Sequence, residues 1–235
     1  MLPQAIIFDL DDTIISLKGT ANDTWKIICS EYCKLNKCID YEILYKTITD
    51  TRLAFWDDKK SNEIGRKNQK AARREIVRRV FEKLKLPTND IEGVADSFSE
   101  RRLEALKLFP NVIETLEFIK SKAIMTTLIT NGDGKIQRYK IEKFNLEKYF
   151  DYIFIETEIG YGKPEEKIYK LALDKMNVSP QNTWSIGDNL IWDVKAPQNI
   201  GIYGIWVDFE NTGLPKDTAI KPDKIIKGID QLLEM

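Results

Sequence analysis

Hydrophobic and polar positions divide the chain into two kinds of segment. Five short apolar runs, Ala5–Asp9, Ile124–Thr130, Tyr152–Glu156, Thr183–Gly187 and Ile202–Val207, are β-branched or aromatic and bounded by turn residues, as buried strands are. From the second run onward they alternate with helical patterns at Asn111–Lys122, Gly134–Phe144, Glu165–Met176 and Leu190–Asn199. That alternation predicts an α/β, Rossmann-like open parallel sheet with helices on both faces. The stretch 16–109 shows no strand pattern. Ala72, Ile76, Val80 and Leu84, flanked by Val77 and Phe81, mark an amphipathic helix that Pro87-Thr88-Asn89 ends. The expected organisation is a discontinuous α/β core, residues 1–15 and 110–235, interrupted by an all-α subdomain at 16–109.

Composition narrows the chemistry. The chain contains no histidine, which excludes Ser-His-Asp and Cys-His catalysis in their usual forms and histidine-built zinc or iron sites. A hard-metal site must then be built from oxygen ligands, which favours Mg²⁺. Cys29, Cys33 and Cys38 are odd in number and lack zinc spacing; Cys29 and Cys33 read as packing residues beside Trp25, Ile28 and Tyr32. They fit a reducing, cytoplasmic compartment. A net charge of −1 supplies no field for nucleic acid or an anionic membrane. No apolar run is long enough to span a bilayer, and the N-terminus lacks the basic region of a signal peptide. A monomer or weak homodimer is expected. One local exception to the balanced charge is the helix carrying Arg66, Lys67, Lys70, Arg73, Arg74, Arg78 and Arg79. It reads either as a solvated face offset by Glu63, Glu75 and Glu82, or as a face of which part binds an anionic substrate.

Four segments follow expected strands, at whose carboxyl ends ligands bind in an open parallel sheet. In Asp9-Leu10-Asp11-Asp12-Thr13, carboxylates crowd a strand end and call for a cation or shifted pKa values. Thr130-Asn131-Gly132-Asp133-Gly134 offers a hydroxyl and backbone N–H groups to an anion. In Gly160-Tyr161-Gly162-Lys163-Pro164, Pro164 fits the first helical position, so Lys163 stands just before a helix and can neutralise a phosphate. In Gly187-Asp188-Asn189-Leu190-Ile191-Trp192-Asp193, two carboxylates about one helical turn apart can face one cation. Each also has a plain reading as a turn, a surface lysine or a helix cap. Together they supply a nucleophile, a metal site and an anion site, which phosphoryl transfer requires.

In this order the four segments resemble the motifs of the haloacid dehalogenase superfamily of phosphohydrolases, over Leu2–Ile14 and Phe109–Val207. The helical insert resembles its type-1 cap. Thr130-Asn131-Gly132-Asp133, Gln137-Arg138 and Lys140-Ile141-Glu142 are similar to the N-acetylneuraminate-9-phosphatase and pyrimidine-nucleotidase branch. The resemblance implies a Mg²⁺-dependent phosphatase for a small phosphorylated metabolite. Asp9 is then the nucleophile that becomes an aspartyl-phosphate, and Asp11 the general acid and base. Thr130, Asn131 and Lys163 bind phosphate, while Asp9, Asp11 (through its backbone carbonyl), Asp188 and Asp193 hold the metal. It also implies that the cap excludes water and selects substrate, with Tyr161 and the basic helix as candidate contacts. Pro197 falls inside the helix expected after the fourth motif and should shorten or kink it. A dehalogenase, a phosphomutase, a phospho-accepting receiver-like protein and a catalytically dead binding protein are the alternatives. Asp11 with Asp188 and Asp193 speaks against the dehalogenase, and the position of Asp9 on the first strand against the receiver.

Overall fold

A computed structural model describes the chain except residues 1, 38, 62–64, 66, 67 and 235. Arg66, Lys67, Glu63 and Cys38 therefore lie outside the described residues. Two compact units emerge: Met1–Leu17 with Lys107–Met235, and Lys18–Leu106.

The first unit is built on a six-stranded parallel sheet in the order β5-β4-β1-β6-β7-β8. The strands are β1 Ala5–Phe8, β4 Met125–Thr130, β5 Tyr152–Ile155, β6 Thr183–Gly187, β7 Tyr203–Val207 and β8 Lys224–Ile226. β1 is central and buried on both faces, which explains its unbroken apolar run. α5 Val112–Ser121, α6 Gly134–Lys143, the single turn α7 Glu156–Ile159 and α8 Glu166–Met176 follow. Ile168, Tyr169, Ala172, Leu173 and Met176 of α8 form one core cluster with Ala5, Ile7, Ile129 and Phe154. Their spacing of one, four, five and eight residues from Ile168 is the inward stripe of a helix.

Three local features depart from the sequence-based expectation. Residues 16–109 are expected to hold no strand, yet β2 Ile15–Ser16 and β3 Lys107–Leu108 form an antiparallel ribbon. The expected helix Leu190–Asn199 divides into a π-helix, Leu190–Lys195, and a short α9, Ala196–Gln198. Pro197 has no N–H to continue an i→i−4 ladder, and the wider turn accommodates that gap. Pro164 is not the first helical residue: the Lys163–Pro164 bond is cis, and α8 starts at Glu166 with Glu165 at its N-cap.

The second unit packs α1 Thr20–Asn36, α2 Tyr41–Asp57, α3 Gln69–Leu84 and α4 Ile91–Glu104 around a core of its own. Trp25, Ile28 and Tyr32 meet Leu44 and Ile48, Val77, Val80 and Phe81, and Ala95 and Phe98. Cys29 is buried in this core, and Cys33 packs at its margin. Asp40 and Asn68 cap α2 and α3 by accepting backbone N–H groups. Among the described residues no helix is long and apolar enough to cross a membrane.

Candidate active site

Strand register brings the site together. Phe8 of β1 pairs with Leu128 of β4 on one side and Ile186 of β6 on the other. Thr130 and Asp188 each lie two residues beyond those partners, level with the residue after Asp9. Asp9 N–H still donates to Ile186 O at 2.9 Å, so the nucleophile candidate sits on the last hydrogen-bonded rung. Beyond it the chain turns sharply: Ile14 and Ile15 N–H both donate to Leu10 O. Asp12 takes a left-handed φ of 59° and accepts from Leu17 N–H at 2.9 Å. Asp12 thus belongs to the turn.

Asp9, Lys163 and Asp193 form a buried triad. Lys163 Nζ donates to Asp9 Oδ1 and to Asp193 Oδ1, each at 2.6 Å. Asp193 Oδ2 accepts from Asn189 N–H at 3.0 Å, and Thr13 Oγ1 donates to Asp9 Oδ2 at 3.3 Å. Carboxylate oxygens of Asp9, Asp188 and Asp193 lie within 4.8 Å of one another. Asp9 and Asp193 are buried and Asp188 is half-buried. Burial pushes Asp9 up to about 8, with Asp193 and Asp11 adding to the rise and Lys163 opposing it. Burial also works against the Lys163 charge, yet Asp193 and Asp9 outweigh it and hold the ammonium above its ordinary range. The all-oxygen donor set of Asp9, Asp188 and Asp193 suits a hard divalent cation such as Mg²⁺. Such an ion would be held by Asp9, Asp188 and Asp193, and would supply charge neutralisation for a bound phosphoryl group.

Asp11 goes elsewhere. Its carboxylate accepts from Lys140 Nζ through both oxygens at 2.8 Å and from Gln137 Nε2 at 3.1 Å. Gln137 Nε2 also donates to Thr130 Oγ1, linking the first and second motifs. Gln137, Lys140 and Ile141 are the buried residues of α6. Their i, i+3, i+4 spacing was the available signal that both polar side chains face inward and need partners. The motif residues alone do not identify them. Asn131 joins the second and third motifs: its Nδ2 donates to Lys163 O at 2.6 Å, and its Oδ1 accepts from Lys163 N–H at 2.8 Å. Its side chain clamps the backbone of Lys163. Tyr161 packs at the edge of the sheet core with the Lys167 ammonium 4.1 Å from its ring centre.

Two glycines make the close approaches possible. A Cβ on Gly187 would lie 2.2 Å from Asp193 Cγ, and one on Gly162 would lie 2.4 Å from Asn131 Oδ1. Gly187→Ala is expected to displace the Asp193 carboxylate, cost about 1–3 kcal/mol of stability, and weaken metal binding. Isothermal titration with Mg²⁺ beside a urea unfolding curve checks both effects.

Among known proteins, the profile of the haloacid dehalogenase-like hydrolases matches residues 3–201. The glyceraldehyde 3-phosphate phosphatase of Pyrococcus furiosus is 25% identical over 99% of this chain and 92% of its own length. The N-acylneuraminate-9-phosphatase of Rattus norvegicus is 26% identical over 97% and 92%. The crystal structure of the putative hydrolase YfnB from Bacillus subtilis, bound to magnesium, superposes with a TM-score of 0.71 at 16% identity, covering 100% of this chain and 98% of that one. At that identity the superposition speaks for the fold alone.

Proposed function

The chain belongs to the haloacid dehalogenase-like hydrolase family, and on that premise we propose that it is a Mg²⁺-dependent phosphatase acting on a small phosphorylated metabolite. One observation carries the reading. The Asp9 carboxylate is held by Lys163 at a strand tip, within an acidic cluster shared with Asp188 and Asp193. The phosphatase names of the two relatives, matched over nearly the whole chain, point the same way. A dehalogenase has no use for a cation held by Asp9, Asp188 and Asp193, whereas a phosphoryl group does.

In this scheme Asp9 attacks phosphorus and forms the aspartyl-phosphate as the P–O bond to the leaving group breaks. Asp11 protonates the leaving oxygen, then takes a proton from the water that attacks the phosphoenzyme, releasing phosphate and free Asp9. Lys163 and Thr130 neutralise and orient the phosphoryl oxygens, while Asn131 fixes the backbone from which Lys163 projects. Lys140 and Gln137 hold Asp11. We assign the core to residues 1–15 and 110–235 and substrate selection to the helical insert, 16–109. The cytoplasm is the proposed location.

The test is hydrolysis of p-nitrophenyl phosphate by purified protein with Mg²⁺ and then with EDTA. Release of nitrophenol with Mg²⁺, lost in EDTA and restored by excess Mg²⁺, is the expected result. Equal release with and without the metal would overturn the metal-dependent mechanism.

A further inference from the structure

The π-helix beside the acidic cluster leaves one carbonyl in need of a donor from outside. Within Leu190–Lys195 the wide turn sends Ala196 N–H to Ile191 O, five residues back. The same spacing assigns Trp192 O to the N–H of residue 197, and residue 197 is proline, which has none. The α-helical alternative for Trp192 O is Ala196 N–H, which Ile191 O already takes. A carbonyl left unpaired in a partly buried turn costs free energy. Tyr169 supplies the donor: its hydroxyl donates to Trp192 O. Tyr169 lies on α8, is fully buried, and belongs to the core cluster that includes Ile7 and Ala196. A hydroxyl buried there needs an acceptor as much as the carbonyl needs a donor.

The bond acts on the peptide unit that leads into Asp193. The carbonyl end of that unit is held by Tyr169, and its N–H end donates to Asn189 O at 2.8 Å. With both ends engaged, the plane of the Trp192–Asp193 peptide is fixed, and so is the direction in which the Asp193 side chain leaves the backbone. The carboxylate is held in turn by Lys163 Nζ at 2.6 Å and by Asn189 N–H at 3.0 Å. Lys163 and Tyr169 belong to one segment, the loop before α8 and the first turn of that helix, and they grip neighbouring residues, Asp193 and Trp192. A π-turn is rarer and less favourable than an α-turn and recurs at functional sites, so contacts from a rigid neighbour decide whether it persists. Trp192 is exposed. Released by Tyr169, its carbonyl would tilt toward water and carry the Asp193 backbone with it.

We propose that Tyr169 is a positioning residue for the metal site: by donating to Trp192 O in place of the N–H that Pro197 lacks, it sets the Asp193 carboxylate for the cation. This rests on the metal-dependent reading above and deepens it with a residue outside the four motifs. Tyr169 acts through the π-helix and is not itself a ligand. Tyr169 and Pro197 work as a pair, the proline withdrawing a backbone donor and the tyrosine replacing it.

The experiment measures Mg²⁺ binding to the full chain by isothermal titration in four proteins: wild type, Tyr169→Phe, Pro197→Ala and the double variant. Tyr169→Phe removes the donor and keeps the ring. It should raise the Kd for Mg²⁺ by about 10-fold or more, the usual effect of losing a group that orients a ligand. Pro197→Ala returns an N–H to the position that faces Trp192 O. In that background Tyr169→Phe should change the Kd by no more than about 2-fold, because the two donors serve one acceptor and their losses are not additive. The Mg²⁺ concentration for half-maximal turnover of p-nitrophenyl phosphate should follow the same pattern. Urea unfolding in EDTA reads the bond without metal: Tyr169→Phe should lower the midpoint, and by less once Pro197→Ala is present. A role for the tyrosine in packing alone would give no such rescue. An unchanged Kd in Tyr169→Phe, or an equal loss in both backgrounds, would overturn the proposal. Should Tyr169→Phe alone fold poorly, the double variant must fold and bind Mg²⁺ as Pro197→Ala does, or the proposal fails. A wild type that binds Mg²⁺ while these contrasts are absent sinks only the role of Tyr169. A wild type that binds no Mg²⁺ sinks the metal-dependent reading itself, and this proposal with it.

Discussion

Asp9→Asn is expected to lower kcat for any phosphomonoester by about 10⁴-fold or more, because a carboxamide cannot form the acyl phosphate and residual positioning rescues little of the loss. The same substitution should make the metal-free protein more resistant to unfolding at alkaline pH. Burial raises Asp9 from the ordinary 3.8 to about 8, so the folded chain holds a proton there that the unfolded chain releases. The stability due to this group is full below about pH 4 and is lost as pH rises toward about 8. With EDTA present, the wild type should therefore show a falling urea midpoint across that window. The Asp9→Asn protein should show a flatter profile and a higher midpoint at pH 8, and Mg²⁺ should restore the wild type. A wild-type level of turnover in the variant would remove Asp9 from the mechanism. An unchanged pH profile would instead remove the buried-charge account of the cluster.

That conflict between folding and chemistry explains why much of the site was legible in the sequence. Parallel strands buried on both faces leave short apolar runs that end where the sheet ends. Polar residues placed there, Asp9, Thr130 and Asp188, are thereby assigned to one edge before any coordinate is known. Register then sets them level because β4 and β6 both flank β1. The contacts made by helices were less legible. Gln137 and Lys140 lie on the inward stripe of α6, but sequence cannot say that the partner waiting there is Asp11. Likewise Asn131 reads from the sequence as a phosphate contact, and only the approach of the Lys163 loop adds the clamp. β8, three residues with Lys224 and a half-exposed Ile225 at the sheet edge, carries no continuous apolar signal. The β2–β3 ribbon depends on a pairing across the whole helical insert, which no local pattern encodes. Pro197 announced a disturbance, but not its form as a π-helix over Leu190–Lys195, within which Asp193 is held by Lys163 and Asn189 N–H.

Asp11→Asn is expected to impair turnover by about 10²–10⁴-fold, the usual worth of a positioned acid–base group, and to do so differently for different leaving groups. Nitrophenolate departs without a proton, so p-nitrophenyl phosphate should still transfer its phosphoryl group to Asp9. Water then attacks the acyl phosphate without a base, and phosphoenzyme should accumulate as a burst of nitrophenol followed by a slow steady rate. An alkyl phosphate such as glycerol 1-phosphate needs the proton at the first step, so it should give neither burst nor turnover. Rapid-quench measurement of the burst and intact-mass detection of the phosphorylated chain check both arms. Lys140→Met should lower kcat in the same direction by a smaller factor, because Lys140 holds Asp11 through both of its oxygens but does not itself carry the proton. If Lys140 works only through Asp11, adding Lys140→Met to Asp11→Asn should cost little more. A fully additive loss in the double variant would show that Lys140 acts on the phosphoryl group directly. The absence of any burst from p-nitrophenyl phosphate in Asp11→Asn would mean that Asp11 is needed before phosphoryl transfer, for placing Asp9 rather than for moving a proton.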